Sequence, residues 1–347
     1  MSEFKVNTIT NRDGSYGPQV CGITTFGSSG MQLPSGPTEF RGGRGRGVFA
    51  SGFSGAAPSP GNLVDTMDFV EIVTTGDAVD FGDQSRSGYQ QASVSSSIRG
   101  IIMGGANPSG SLSSMGYVTI SSQGGASDYG DLRQATTHAA AASNNTRGII
   151  GGGYETPLYF NTIDFVTIAT TGNSNSFGSL SEKKWFAGNG RASATRMLFI
   201  AGATPDSKND IEFVEIATLG NSQDFGELVD SMKGYGMGCG NCQSPTRTVI
   251  MGGFYSPADR NEIQYITFAT KGNSIDFGDL LTTVRGGGSN SNTTRGILAG
   301  GRTPTQVNTI QFITFSTTGN ATNFGDLTSI RAFNCAGMSD AHGGLAQ

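Results

Sequence analysis

Three sets of residues in this 347-residue chain have types and spacings that chemistry uses. Asp-Phe-Gly stands at 80–82, 224–226 and 276–278, the triplet that holds Mg²⁺ in protein kinases. A kinase also needs a Gly-rich phosphate loop followed by a strand lysine, and a His-Arg-Asp segment. The chain has neither, and its triplet returns with the period of a repeat, so a structural part is expected. Cys239-Gly-Asn-Cys242 has the spacing of a metal or redox pair. A tetrahedral zinc site needs two more ligands, and the two histidines, His138 and His342, fall in different linkages. These cysteines, with Cys335, are expected as small apolar fillers of Gly-rich strands. Carboxylates recur once per period at Asp83, Asp131, Glu227, Asp279 and Asp326, with Ser179 in their place in the third repeat. A hydrolytic pair must converge in two distinct environments, whereas symmetry-related acids are spread apart. Turn capping is the expectation for them; no catalytic residue, metal ligand or cofactor is expected.

These groups are positioned by a tandem array. An aromatic residue followed by glycine closes a segment at Phe81, Tyr129, Phe177, Phe225, Phe277 and Phe324, in steps of 48, 48, 48, 52 and 47 residues. A period near fifty, Gly-rich punctuation and almost no helical pattern indicate a β-propeller, each repeat a blade that buries its faces only against its neighbours. Three more anchors keep step. Arg46, Arg99, Arg147, Arg196, Arg247 and Arg295 each open an apolar run; a strand of the Ile-Asp-Phe-Val-Thr-Ile type follows, as at 163–168; and a Gly-rich stretch such as 234–238 precedes the arginine. Apolar residues at odd and even positions of the second anchor require cover on both faces, which adjacent blades provide. The Thr-Thr-Gly-Asn turns, as at 170–173 and 317–320, offer the positive-φ residue of a tight hairpin.

Four short strands per repeat result, with the Gly-rich one innermost, where crowding favours small residues. The first repeat starts at its second strand, Arg46, and the chain ends in an unpaired Gly-rich stretch at 333–338. Pairing those two removes both open edges. The expected fold is therefore all-β: a six-bladed β-propeller at 46–347, closed by its C-terminal strand, after a short N-terminal β arm at 1–45.

Loops between the Gly-ended strand and the Ile-Asp-Phe strand vary while the frame around them stays fixed, at 53–66, 106–114, 154–162, 203–210, 254–262 and 302–309. Five carry a proline in an equivalent place (Pro108, Pro157, Pro205, Pro257, Pro304). Tyr154, Tyr159, Phe160, Phe254, Tyr255, Arg260 and Arg302 form the candidate binding set, because rigid loops with aromatic tips suit recognition of a protein or glycan.

Only 14% of residues are charged, the net charge is −5, and Gly accounts for 54 residues. That leaves no electrostatic footprint for nucleic acid. No apolar run is long enough to span a bilayer, and residues 1–14 lack the apolar core of a signal peptide, so synthesis in a cytoplasm is expected.

The pattern of a Gly pair, an Asn-Thr-Ile-Asp-Phe strand, an aromatic-centred strand and an Arg-containing link resembles kelch-type propellers over residues 46–340, with Phe-Gly-Asp where kelch repeats carry a tryptophan. Lys5-Val6-Asn7-Thr8-Ile9-Thr10, Gly22-Ile23-Thr24-Thr25-Phe26 and Met31-Gln32-Leu33-Pro34-Ser35-Gly36 resemble the N-terminal segment of structural proteins of tailed phages of marine cyanobacteria. The resemblance implies a virion protein of tail, neck or head fibre type. Residues 1–45 would join other virion proteins, as a homo-oligomer in the particle, and the propeller would bind a host-surface glycan or protein. A purely structural collar or decoration protein, a propeller polysaccharide hydrolase or lyase, and an intracellular kelch adaptor are the alternatives.

Overall fold

The computed structural model of the protein describes residues 24–25, 31–32, 45–54, 62–185, 190–204, 206–229, 240–255, 257–332 and 336–345. The chain divides into two units, Met1–Glu39 and Phe40–Gln347. In the first, the described residues form a minimal hairpin, Thr24–Thr25 against Met31–Gln32. In the second, six antiparallel sheets of one connectivity form a six-bladed β-propeller.

Within a blade the strands follow chain order from the axis outward, here called inner, second, third and outer. Blade 2 is Ala92–Ser95, Arg99–Met103, Ser114–Thr119 and Ser127–Asp131. Blades 3 to 6 repeat this over 140–179, 190–227, 240–279 and 288–331. Blade 1 is assembled from both ends of the unit: its inner strand is Ala336–Ser339, paired so that Gly47 faces Ser339 and Ala50 faces Ala336. The expected C-terminal closure is therefore present, while 333–335 and the Gly-rich stretch at 234–238 lie outside the described residues.

Cover on both faces explains the strand composition. Second strands such as Arg147–Gly151 are buried at every position after the arginine, because each sheet lies between two others. The arginine fastens neighbouring blades. Its guanidinium lies over the aromatic ring of its own third strand, 4.3 Å from Tyr117 for Arg99 and 4.6 Å from Phe165 for Arg147. It then donates to a carbonyl at the end of the next blade's third strand, Arg99 to Ile168 O at 3.0 Å and Arg196 to Phe268 O at 2.8 Å. The ring over which it lies meets the Phe-Gly ring edge-on, as in Phe165–Phe177 with centroids 6.2 Å apart.

The Phe-Gly glycine forms a close joint between the outer parts of neighbouring blades. Phe225 O and Glu227 O accept hydrogen bonds from Gly272 N and Ser274 N of the next blade's hairpin, both at 2.9 Å. The same pair of bonds recurs around the ring and closes it, Phe324 O to Gly76 N and Asp326 O to Ala78 N at 2.8 Å. A Cβ on Gly226 would stand 2.3 Å from Gly272 O, so the outer strand can reach its neighbour only as glycine.

This joint corrects the expectation for the recurring carboxylates. Asp83, Asp131, Glu227 and Asp279 end outer strands and Asp326 lies within one, rather than capping turns. Their backbone amides are the capped groups: Glu227 N donates to Asn273 Oδ1 and Asp326 N to Asp77 Oδ1, both at 3.0 Å. The Asn of Thr-Thr-Gly-Asn thus serves the preceding blade, and its neighbouring glycine supplies the positive φ, 149° at Gly172.

Gly226→Ala should cost about 2–4 kcal/mol, combining overpacking against backbone with an alanine at φ 153°. Gly272→Ala, at the same φ but with open space around its Cβ, should cost about 1–2 kcal/mol. Chemical denaturation of the two variants reads the difference, which is the worth of the close approach; equal losses would remove it.

Candidate functional site

Alternating strand direction places the hairpins between second and third strands on one end of the ring, together with the links that lead from one blade to the next. Isolated bridges join them: Tyr89 to Ala106, Thr137 to Tyr154, Trp185 to Ala203, Arg285 to Arg302 and Phe53 to Ala332. Among the described residues link and hairpin therefore join at five places on this rim, and the hairpins are short paired strands, such as Tyr154–Glu155 against Leu158–Tyr159.

Six of the seven residues expected to bind are half-buried on this rim: Tyr154, Tyr159, Phe254, Tyr255, Arg260 and Arg302. Tyr154 and Tyr159 face each other across their hairpin with ring centroids 5.2 Å apart. Arg260 lies over the Tyr255 ring at 5.4 Å, and Arg302 is turned back onto Pro304 O at 2.7 Å. Phe160 does not belong with them. It is only 8% exposed, because its backbone is pinned between Gly153 O and Lys184 N and its ring turns under the hairpin.

The structure adds rim residues that lie on links rather than loops. Trp185 meets His138 edge-on at 4.8 Å, Tyr89 tilts against Phe53 at 4.5 Å, and the Arg285 guanidinium sits 4.5 Å from the Phe254 centroid. Tyr89, Thr137, Trp185 and Arg285 each stand eight residues after a repeat aromatic. That offset is a signal, but it appears only once link and hairpin are known to pair. Burial draws the His138 pKa down to about 3, so its ring is a neutral packing group against the tryptophan.

Beneath the rim, Lys184 is 1% exposed and held by Asp210 and Glu212. Burial opposes its charge, but the two carboxylates outweigh it and hold its pKa above the ordinary value. At the joint between blades 6 and 1, Arg331 donates to Asp68 at 2.8 Å with both side chains buried. Such pairs specify a joint more than they stabilise it.

The axial channel is lined by serines that satisfy the free edges of the inner strands. Ser143 Oγ donates to Ser95 O at 2.7 Å, Ser289 Oγ to Asn241 O at 2.6 Å, and Ser95 Oγ to Ser339 O at 2.9 Å. The Arg191 guanidinium points among them toward Asn241 O and Ser289 Oγ, and burial lowers its pKa to about 10. His342, which lines the same space, is an Nε2–H tautomer: Nε2 donates to Ser95 O at 3.0 Å, while Nδ1 accepts from Gln243 Nε2 at 2.6 Å and Gly344 N at 3.2 Å. The remaining space is about 30 Å³, room for a water-sized species.

Cys242 is a buried filler of an inner strand, its thiol pushed up to about 12 by burial; its partner in the expected pair, Cys239, lies outside the described residues. Among the described residues no three His, Cys, Asp or Glu side chains gather as a metal site. No family model matches the chain, and no curated protein matches it. What the geometry defines is a six-bladed propeller with an aromatic and arginine rim at one end and an axis lined by serines.

The axis generates a pH dependence. Burial lowers the His342 pKa to about 4, below the roughly 6.5 of an unfolded chain. The unfolded state therefore takes up the proton first, and this residue's contribution is complete above about pH 6.5 and lost as pH falls toward 4. His342→Gln keeps one donor and one acceptor without a titrating ring. Between pH 6.5 and 4.5 its unfolding free energy should fall less steeply than that of the unaltered chain, by about 1 kcal/mol per pH unit. Parallel slopes in urea titrations would show that His342 is solvated.

Proposed function

We propose that this chain is a non-enzymatic binding and structural protein, a kelch-like propeller of a phage virion in the tail, neck or head fibre class, whose rim contacts the host surface. The observation that carries the reading is the rim: half-buried Tyr, Phe, Trp and Arg side chains held on paired hairpins and links by an otherwise regular ring. Aromatic side chains of low conformational entropy, fixed before contact, lose little on binding and suit a protein or glycan surface. The likeness of residues 1–45 to virion proteins supports assembly through the arm. A non-catalytic role is favoured by the recurring carboxylates, which stand singly in five of the six blades with their backbones engaged in the joints between blades.

Replacing Tyr154, Tyr159, Phe254 and Tyr255 together with Ser should reduce binding to host cells at least tenfold while leaving incorporation into particles intact, measured by cell-binding assay and by labelled antibody on intact particles. Removing residues 1–41 should do the reverse. If arm removal abolishes binding and spares incorporation, the two ends of the molecule have the opposite roles.

A further inference from the structure

Among the described residues, the joint between blades 1 and 2 departs from the pattern of the others. In five third strands, the residue just past the bulge carries a polar side chain: Asp68, Asp164, Glu212, Gln264 and Gln311. Each is occupied. Asp68 takes Thr328 Oγ1 at 2.7 Å, Asp164 takes Ser174 Oγ at 3.1 Å, Glu212 accepts from Ser181 N at 2.9 Å, Gln311 accepts from Leu281 N at 2.8 Å, and Gln264 accepts from Ser274. In blade 2 the same register position, opposite Asp128, is Gly116.

Backbone geometry does not require this glycine. A Cβ there would meet nothing nearer than Ser127 O at 3.6 Å, an ordinary contact. Gly116 lines a cavity of about 320 Å³, within the range of small-molecule pockets.

Two further departures line the same space. Three residues after the repeat aromatic, five links carry a buried leucine (Leu132, Leu180, Leu228, Leu280, Leu327), whereas the link into blade 2 carries Gln84. Gln91 precedes the inner strand where Ala139 and Gly287 stand in blades 3 and 6. Both glutamines are 8% exposed, and Gln84 Nε2 and Gln91 Oε1 have no hydrogen-bond partner among the described residues. A buried amide donor and a buried amide acceptor without partners are costly, and both glutamines line this cavity.

We propose that this notch binds a neutral, polyhydroxylated six-membered ring, a hexose-class ligand, between Gln84 and Gln91. The two amides supply a donor and an acceptor for vicinal hydroxyls. Ile102, Met115 and Ala126 offer an apolar wall for the C–H face of a pyranose. Arg86 and Asp128, exposed at the mouth, balance in charge, which disfavours a phosphorylated ligand and gives a metal ion too few carboxylates. The notch shares no residue with the Tyr154, Tyr159, Phe254 and Tyr255 cluster, so it stands or falls separately from the rim.

The test uses the full chain with methyl α-D-glucopyranoside, methyl α-D-galactopyranoside and methyl α-D-mannopyranoside, each titrated by saturation-transfer NMR. A ligand of this size should bind with a Kd of about 1 mM. At least one sugar should saturate the unaltered protein, and its affinity should fall at least tenfold in Gly116→Gln and in Gln84→Leu. Both changes restore what other joints carry, so both variants should melt at or above the unaltered temperature. Failure of all three sugars to bind, or undiminished binding in a folded variant of either kind, overturns the proposal.

Discussion

The fold depends on a backbone-to-backbone approach that only glycine allows. At every joint the outer strand's Phe-Gly step lies against the Thr-Thr-Gly type turn of the next blade, and a Cβ on the Phe-Gly glycine would come within 2.0 to 2.6 Å of that turn's backbone. Carbonyls on either side of the glycine accept the turn's amides, so the outermost strand is not a free edge but part of the next blade's hairpin. Other features of the repeat follow from keeping this joint in place. The Phe or Tyr ring anchors the step in the core, the third-strand aromatic meets it edge-on, and the arginine covers that aromatic while reaching the next blade's carbonyls.

The axis solves the opposite problem. Inner strands crowd together with one edge unpaired, and serine hydroxyls answer that edge in both senses, accepting from one backbone amide and donating to one carbonyl. Ser95 does so toward Ser339, and Ser143 toward Ser95. The terminal segment then turns in through His342, whose two ring nitrogens fasten it to different blades. Glycine joints outside and a stitched axis inside leave variation to the rim and to the notch between blades 1 and 2.

Periodicity made most of this legible. The six aromatic-glycine steps give the blade count, and the missing first inner strand gives the closure, because both are properties of a single repeat read against its copies. What pairs different blades was hidden. Asn173 looks like a turn residue, yet its side chain caps Asp131 of the preceding blade; Asp131 looks like a capping acid, yet it is the residue capped. Phe160 looked exposed because its loop is variable, whereas its backbone bonds to Gly153 and Lys184 carry it inward. Trp185 and Arg285 escaped notice for the converse reason, lying in links whose adjacency to the hairpins is set only by the ring.

The glycine contact and its amide bond recur at all six joints, the one between blades 6 and 1 included. Amide hydrogen exchange on the intact chain tests this at Gly76, Gly124, Gly172, Gly220, Gly272 and Gly319, whose N–H groups donate across the six joints. All six should exchange at rates governed by global unfolding, with Gly76 as protected as the rest. Fast exchange at Gly76 beside slow exchange at the other five would mean that the ring opens between its last blade and its first, and that the glycine joint is not what holds it closed.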